Sequence, residues 1–251
     1  TMYRWAICIG FFVAFNLSAA PYDESIRKAT RYLHNRRLNY KEATVVTVDF
    51  LARNYAIPID TTEARKQLLS RAPRKLRYLL RTIDSTKQVS ELEIRVLRKY
   101  SGILPTAIYC DVYPLPWDFL VKVREYGSEK GGWLTVWAVL ALAISEWHGC
   151  VSDVQQLNEI RGVLVHKILE DLPKERQLTL LRIEFLLSLY LAGRADSVPP
   201  QQLKTLVAGQ LSDGSWEHDD EMTAKALWVM ILARDGHNPS KRLEVIRHSR
   251  S

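Results

Sequence analysis

The run Glu217-His218-Asp219-Asp220-Glu221 is the densest cluster of side chains that could do chemistry. Carboxylates and imidazole are the residue types of acid–base sites and of metal ligands, but no second His or Cys cluster has the spacing of a dedicated metal site. An acidic run is also typical of a helix start, where carboxylates cap backbone N–H groups and complement the helix dipole. The sequence therefore predicts no metal and no cofactor.

Glu184 is the other carboxylate of interest, because it lies between Ile183 and Phe185 in a strongly apolar stretch. An acid that faces a protein interior needs a partner, or its pKa rises. Two interpretations are open. Glu184 pairs with a base such as Arg182 or Lys174 and is structural, or it supplies polarity to a ligand site.

The N-terminal residues have the pattern of a secretory signal peptide. Arg4 supplies a positive flank, an apolar stretch runs from Trp5 to Phe15, and small residues allow cleavage after Ala19. The apolar stretch is short for a membrane-spanning helix, although a retained anchor is the alternative. We expect residues 1–19 to be the signal peptide, residues 20–251 to form one domain without a membrane span, and the protein to be secreted or otherwise extracytoplasmic.

Export decides how the cysteines are interpreted. Cys8 leaves with the signal peptide, so Cys110 and Cys150 remain. Two cysteines in an oxidising compartment allow one disulfide, which would tie a proline-rich segment to the end of an apolar helix. Two buried free thiols are the alternative.

Composition and periodicity indicate a globular helical chain. The 251 residues are 47% hydrophobic, which is enough for a full core. The segment from Trp133 to Trp147 is apolar nearly all round, as an inner-layer helix is. The Val- and Thr-rich segment from Glu42 to Tyr55 alone suggests a strand, but its length and its helical neighbours favour a helix. The segment from Ile103 to Trp117 contains three prolines and is predicted to be a packed loop. We expect an all-α fold.

Basic residues concentrate in one segment, where Arg74, Arg77 and Arg81 recur at helical spacing. This face either is simply solvated or docks a polyanion such as a sulfated glycan, an acidic partner or anionic lipid headgroups. The formal net charge is +7. Nucleic acid is nevertheless not expected as a partner of an exported protein.

One turn carries a distinctive spacing: Leu206, Gln210, Gly214 and Trp216 stand in the order L-x3-Q-x3-G-x-W. It resembles the QW repeat of αα-toroid proteins, which include squalene and terpene cyclases and protein prenyltransferase β subunits. Glycine can take a positive φ here, and Asp219 can N-cap a following helix, so one helix ends and an antiparallel helix begins.

The resemblance implies an αα-hairpin array that forms a partial or complete αα-toroid. It also implies structural roles for Gln210, Gly214 and Trp216, with the glutamine closing a helix end and the tryptophan stacked against it. Gly132-Trp133 echoes the same turn, and the separation accommodates two helical hairpins of about 40 residues. The aspartate motifs of terpene cyclases are missing from the sequence, so the resemblance concerns the scaffold.

Three patches cover the C-terminal half: Gly132-Trp133-Leu134-Thr135 through Gly149-Cys150, Ile183-Glu184 through Asp196, and Leu203 through Asp213-Gly214 to Thr223-Ala224. Together they resemble an uncharacterised secreted animal family of the thyroid-expressed secretory type. That family has no assigned reaction, so the resemblance implies export without implying an activity.

The sequence predicts a secreted, non-catalytic binding or interaction protein whose ligand is a small molecule, a glycan or a protein. The predicted pocket lies where inner-helix N-termini meet. It combines aromatic and polar side chains: Trp133, Trp137, Glu184, His218 and Asp220. Aromatic walls with few polar groups suit such a site. The alternative is an exported αα-barrel glycan hydrolase or lyase that uses Glu184, His218 and Asp220.

Overall fold

The computed structural model describes residues 22–36 and 41–236, and all regular elements in these two ranges are helices. The α-helices, numbered in chain order, are α1, residues 22–36; α2, Glu42–Tyr55; α3, Thr62–Arg71; α4, Leu80–Ile83; α5, Glu91–Ser101; α6, Leu104–Ile108; α7, Phe119–Ser128; α8, Trp133–Trp147; α9, Val154–Asp171; α10, Leu180–Leu191; α11, Pro200–Ala208; and α12, Asp220–Asp235. Short 3₁₀ helices span Arg74–Leu79, Leu172–Lys174 and Ala195–Ser197. The predicted all-α fold is confirmed. The predicted signal peptide lies outside the described residues.

Helix α2 shows how tertiary packing decides an ambiguous sequence. Its valines favour a strand by propensity, but burial of Val48 on a helical face against the core outweighs that weak preference. The same face buries the Asp49 carboxylate, which contacts Arg53 Nε at 2.7 Å, Arg65 Nε at 3.3 Å and Thr61 Oγ1 at 2.8 Å. Because these partners compensate its charge, Asp49 fixes how α2 packs on the chain that follows.

Helix α8 lies at the centre of the packing. It contacts α6, α7, α9 and α10, and its small residues Ala138 and Ala141 are fully buried. Alternate helices also lie side by side, since α7 packs against α9 and α10 packs against α12. Apolar as α8 is, neither it nor any other helix in the described ranges has the length and apolar character that crossing a membrane requires.

The first and the last described helices are in contact. Gln210, at the end of α11, donates a hydrogen bond from Nε2 to the Ser25 carbonyl oxygen of α1 at 2.9 Å. Further along α1, Arg36 Nε lies 3.2 Å from Asp220 Oδ1 at the start of α12. Helix α12 also packs against α2. The two ends of the described chain are therefore joined.

Cys110 and Cys150 form the predicted disulfide, which spans a sequence separation of 40. The bridge ties the turn after α6 to the turn after α8. The segment from Ile103 to Trp117 was expected to be a packed loop, but its first part is helix α6. Pro105 occupies the first turn of α6, where its missing N–H costs no hydrogen bond, and the buried Ile108 side chain stabilises the helix by packing.

Candidate functional site

The turn between α11 and α12 is held by hydrogen bonds within the protein. Trp216 is fully buried, its backbone N–H donates to Thr223 Oγ1 at 3.0 Å, and its indole Nε1 donates to the Leu206 carbonyl oxygen at 2.8 Å. Gln210 Nε2 also donates to the Gly214 carbonyl oxygen at 3.0 Å. The hydrogen bonds that the Gln210 and Trp216 side chains donate therefore connect the end of α11 to the turn that follows it.

Gly214 allows helix α1 to approach this turn. Its φ of +94° lies in the region that favours glycine, and a Cβ added there would stand 2.3 Å from the Lys28 carbonyl oxygen. Any side chain at this position would therefore displace the backbone of α1.

His218 belongs to a small network with Asp213 and Ser215. Its Nδ1 lies 3.0 Å from Asp213 Oδ2 and 3.4 Å from Ser215 Oγ, and the Ser215 hydroxyl itself donates to Asp213 Oδ1 at 2.7 Å. In a Ser-His-Asp triad the imidazole uses one nitrogen for the carboxylate and the other for the hydroxyl. Here both groups face the same nitrogen. The arrangement braces a turn and does not activate the serine.

Glu217 and His218 complete that turn in an uncommon conformation. Their φ angles are 53° and 52°, and Trp216 pairs with Asp219 across them. Two successive residues with positive φ are typical of a type I′ turn, where Asn and Gly are preferred. The Asp219 side chain then caps α12 by accepting from the Met222 N–H at 2.8 Å, which is the capping role predicted for it.

Asp220 is held by helix α1. Besides its contact with Arg36, it neighbours the Tyr32 hydroxyl, which donates to the His218 carbonyl oxygen at 3.2 Å. Burial and a hydrogen bond with Asp220 raise the pKa of Tyr32 to about 12, so its hydroxyl keeps its proton at neutral pH. Two of the residues named for an acid–base site are therefore held by other parts of the protein. Asp220 contacts Arg36 of α1, and His218 contacts Asp213.

Glu184 is buried and paired. Its Oε1 lies 3.0 Å from Lys225 Nζ, and both side chains are at most about one-seventh exposed. The pair links α10 to α12. Burial raises the pKa of nearby Glu221. The positive charge of Lys225 opposes this shift, and the negative charge of Glu184 adds to it. The pairing of Glu184 with a base is the structural interpretation offered by the sequence, and the base is Lys225.

The two tryptophans predicted for the pocket begin α8. Trp133 is 39% exposed, and Trp137 is half-buried against the core. The cleft described below is lined by neither of them, nor by Glu184, His218 or Asp220.

The basic segment is divided among separate contacts. Arg74 and Arg77 lie in a 3₁₀ helix, and Arg81 lies in α4. Arg81 is mostly buried, pairs closely with Asp111, and places its guanidinium 5.2 Å from the centre of the Tyr109 ring. Arg77 Nη1 also lies 3.8 Å from Glu93 Oε1. Arg77 and Arg81, two of the three side chains predicted to face a polyanion, are thus engaged within the protein.

Cys110, Cys150 and His148 bring potential metal-ligand atoms within 4.8 Å of one another. Metal ions are bound by cysteine thiolates. In this structure both sulfurs form the disulfide, so the cluster offers no thiolate.

A cleft of about 490 Å³ opens between α5 and the segment that contains α6 and the prolines. We call it the Arg98 cleft. Its lining consists of Glu91, Ile94, Arg95, Arg98, Thr106, Tyr109, Tyr113, Pro114 and Pro116. Its volume is in the range of small-molecule sites, and it combines aromatic walls with two guanidinium groups.

Arg98 is the charged group best placed to meet a ligand. Its Nε donates to the hydroxyl of the buried Thr106 at 2.6 Å, which orients the guanidinium. Among the described residues, no carboxylate lies within 4.0 Å of it. Burial lowers the pKa of Arg98 and repulsion from Arg95 adds to the shift, while the carboxylates of Glu91 and Asp118 oppose it.

The remaining walls are preformed. The rings of Tyr109 and Tyr113 stack with their centres 6.4 Å apart, and the Tyr113 hydroxyl donates to the Val89 carbonyl oxygen at 3.0 Å. Arg95 pairs with Glu91 at 2.7 Å on the exposed side of α5. Such an exposed pair contributes little stability, so Arg95 can exchange its partner for a ligand.

The Arg98 cleft was not predicted from the sequence. The proline-rich segment was singled out, but no ligand site was predicted on α5. The available signal was the pair Arg95 and Arg98, which share one helix face with Ile94. Nothing in the sequence indicated that this face opposes Tyr113.

Comparison of the chain with protein-family models, with curated proteins and with solved structures found no match.

Proposed function

We propose that this chain is an exported, non-catalytic binding protein that holds a carboxylate-bearing ligand in the Arg98 cleft. The observation that carries the proposal is the Arg98 guanidinium, which is fixed by Thr106 in an open cleft and has no carboxylate partner among the described residues. A planar guanidinium matches a carboxylate with two parallel hydrogen bonds. The tyrosine walls suit a flat or apolar ligand body.

The scaffold is proposed to be the αα-hairpin array of a partial or complete αα-toroid. Contacts between alternate helices, such as α8 with α10 and α10 with α12, support a layered hairpin arrangement. The contact of α1 with the turn before α12 supports closure of the array. In this arrangement the buried Trp216 turn belongs to the framework.

Export is supported by the disulfide. Bridges of this kind persist in oxidising compartments and are rare in the cytosol. The Cys110–Cys150 bridge is next in the chain to the Arg98 cleft, since Tyr109 lines the cleft and precedes the bridged cysteine. In an exported protein the bridge would hold this wall in place.

The hydrolase or lyase alternative has less support. A carboxylate that acts as an acid or base must reach its substrate. Glu184 forms a buried ion pair with Lys225, while His218 and Asp220 are bound to Asp213 and Arg36 respectively. Each candidate group therefore has a structural partner.

Benzoate and benzamide provide a matched test, because they share a ring and differ in charge. We expect benzoate to shift the amide NMR resonances of α5 and of residues 106–116, and benzamide to bind at least about tenfold more weakly, since hydrogen bonds to charged groups are stronger. Arg98→Gln should weaken benzoate binding by a similar factor. Arg98→Lys should weaken it less, because it keeps the charge but loses the planar fork.

Arg124→Gln is the matched control, because it removes one exposed positive charge from α7 outside the cleft. It should leave benzoate binding unchanged. Equal binding of benzoate and benzamide, or equal effects of the Arg98→Gln and Arg124→Gln variants, would show that the cleft does not recognise a carboxylate.

A further inference from the structure

Trp117 stands at the rim of the Arg98 cleft and is 96% exposed. A single exposed apolar side chain needs no explanation by itself. Trp117, however, directly follows Pro116, which lines the cleft. Val121, in the first turns of α7, is exposed as well and extends the apolar surface away from the rim.

The position of Trp117 is fixed by its backbone. The Phe119 N–H donates to the Pro116 carbonyl oxygen at 2.9 Å, which closes a turn around Trp117. Pro116 also restricts the chain in front of it. The turn fixes the backbone of Trp117 and leaves its exposed ring available for a partner to contact.

The rim and the cleft together have the composition of a protein interaction site. Tryptophan, tyrosine and arginine are the residues that most often dominate binding energy at protein interfaces. Here they are Trp117, Tyr113, Arg95 and Arg98, while Tyr109 supports the cleft wall from an almost fully buried position. A ligand confined to the cleft would leave Trp117 unused, whereas a longer chain can contact both.

We propose that the carboxylate held in the Arg98 cleft is an acidic side chain of an extended peptide segment of a partner protein, and that an apolar side chain of the same segment packs on Trp117. This inference rests on the proposed function and specifies its ligand. Arg98 and Arg95 give the cleft positive charge, which an acidic segment complements.

The shape of the site favours a peptide over a membrane surface. Arg98 lines a cleft of about 490 Å³ between α5 and the segment that contains α6, and a single side chain of an extended peptide can enter a cleft of that size. An extended segment advances about 3.3 Å per residue, so a few residues connect the cleft to its rim.

Blocked, fluorescein-labelled peptides test the proposal by fluorescence anisotropy. The first peptide is Gly-Glu-Leu-Glu-Leu-Glu-Gly, and its control replaces every glutamate with glutamine. We expect the acidic peptide to bind at least about tenfold more tightly than the control, with affinity that falls as salt screens the charges.

Two variants separate this inference from the proposed function. Arg98→Gln should weaken both benzoate and the acidic peptide. Trp117→Ala should weaken the peptide by at least about tenfold, as expected for an interface anchor, and leave benzoate unchanged. Val154→Ala, which truncates another exposed apolar side chain at the start of α9 and outside the cleft lining, is the control and should change neither.

Each contrary result has a distinct meaning. If benzoate binds through Arg98 but the acidic peptide does not bind, or binds equally well to the Trp117→Ala variant, the peptide inference is overturned and the carboxylate cleft stands. If neither probe depends on Arg98, both proposals fail. Binding to vesicles that contain phosphatidylserine, dependent on Trp117 and without peptide binding, would replace the peptide with a membrane surface.

Discussion

Two turns of this protein each carry a tryptophan, and the two side chains lie in opposite environments. Trp216, in the turn before α12, is fully buried, and its indole N–H is bonded to a helix end. Trp117, in the turn before α7, is 96% exposed. Both turns are well defined by backbone hydrogen bonds, so the difference does not reflect disorder in either.

The neighbouring polar groups differ in the same way. Around Trp216, Gln210 and Thr223 form hydrogen bonds that join segments of the fold. Beside Trp117, Arg98 is oriented by a single hydroxyl and has no carboxylate partner among the described residues. The turn with the more recognisable sequence pattern is thus framework, and the turn without one is where we propose that a ligand binds.

Truncation of the two tryptophans should give the largest contrast. Trp216→Ala should reduce the free energy of unfolding by about 3–5 kcal/mol, because it empties a large buried site and leaves the Leu206 carbonyl oxygen without its donor. Trp117→Ala should change it by less than about 0.5 kcal/mol, as surface substitutions usually do. Urea unfolding followed by circular dichroism measures both. Similar losses for the two variants would remove the distinction between framework and binding surface.

Removal of the disulfide should have the next largest effect. Cys110→Ser with Cys150→Ser should lower the free energy of unfolding by about 2–4 kcal/mol, because a loop of 40 residues is no longer closed in the unfolded chain. The cleft wall beside Tyr109 should also loosen and weaken benzoate binding. Hydrogen exchange of residues 106–113 measures the second effect. Unchanged exchange there would separate the bridge from the cleft.

The framework was more predictable from sequence than the cleft. Helical periodicity predicted the α-helices, and the QW-like spacing predicted the turn at Gly214, because both depend on residues close together in the chain. For the ambiguous segment at Val48, its length and its helical neighbours favoured a helix, and burial of Val48 against the core explains why the helix forms. The disulfide followed from the presence of only Cys110 and Cys150 in the chain after the expected signal peptide.

The cleft depends on distant residues and could not be predicted in this way. Arg98 and Tyr113 come from separate elements, and only tertiary packing places them on one concavity. The pocket predicted from the sequence was instead built on aromatic residues near turns, such as Trp137, which are equally suited to a core or a site. The partner of Glu184 was open for the same reason, since Lys225 lies on another helix.

The Glu184–Lys225 pair sharpens the distinction within the framework. Glu184→Gln should lower the free energy of unfolding by about 2–3 kcal/mol. This loss is smaller than the loss expected on breaking a fully buried pair, because both side chains are slightly exposed. Benzoate binding should be unchanged. The loss arises because Lys225 keeps its charge without a partner. A further Lys225→Met change should recover most of it, and a double-mutant cycle measures the coupling. Altered ligand binding with unchanged stability would return Glu184 to a binding role.

The smallest effect concerns strain in the framework turn. Glu217 is an exposed residue with a φ of 53°, a region that asparagine adopts more readily than glutamate. Glu217→Asn should therefore raise the free energy of unfolding by about 0.5–1 kcal/mol, which corresponds to a rise in Tm of about 1–4 °C for a domain of this size. Glu125→Asn, the same change on the exposed face of helix α7, should instead lower Tm slightly, because asparagine is a poorer helix former than glutamate. Differential scanning calorimetry resolves shifts of opposite sign. A fall in Tm for both variants would show that the turn carries no strain that asparagine can relieve.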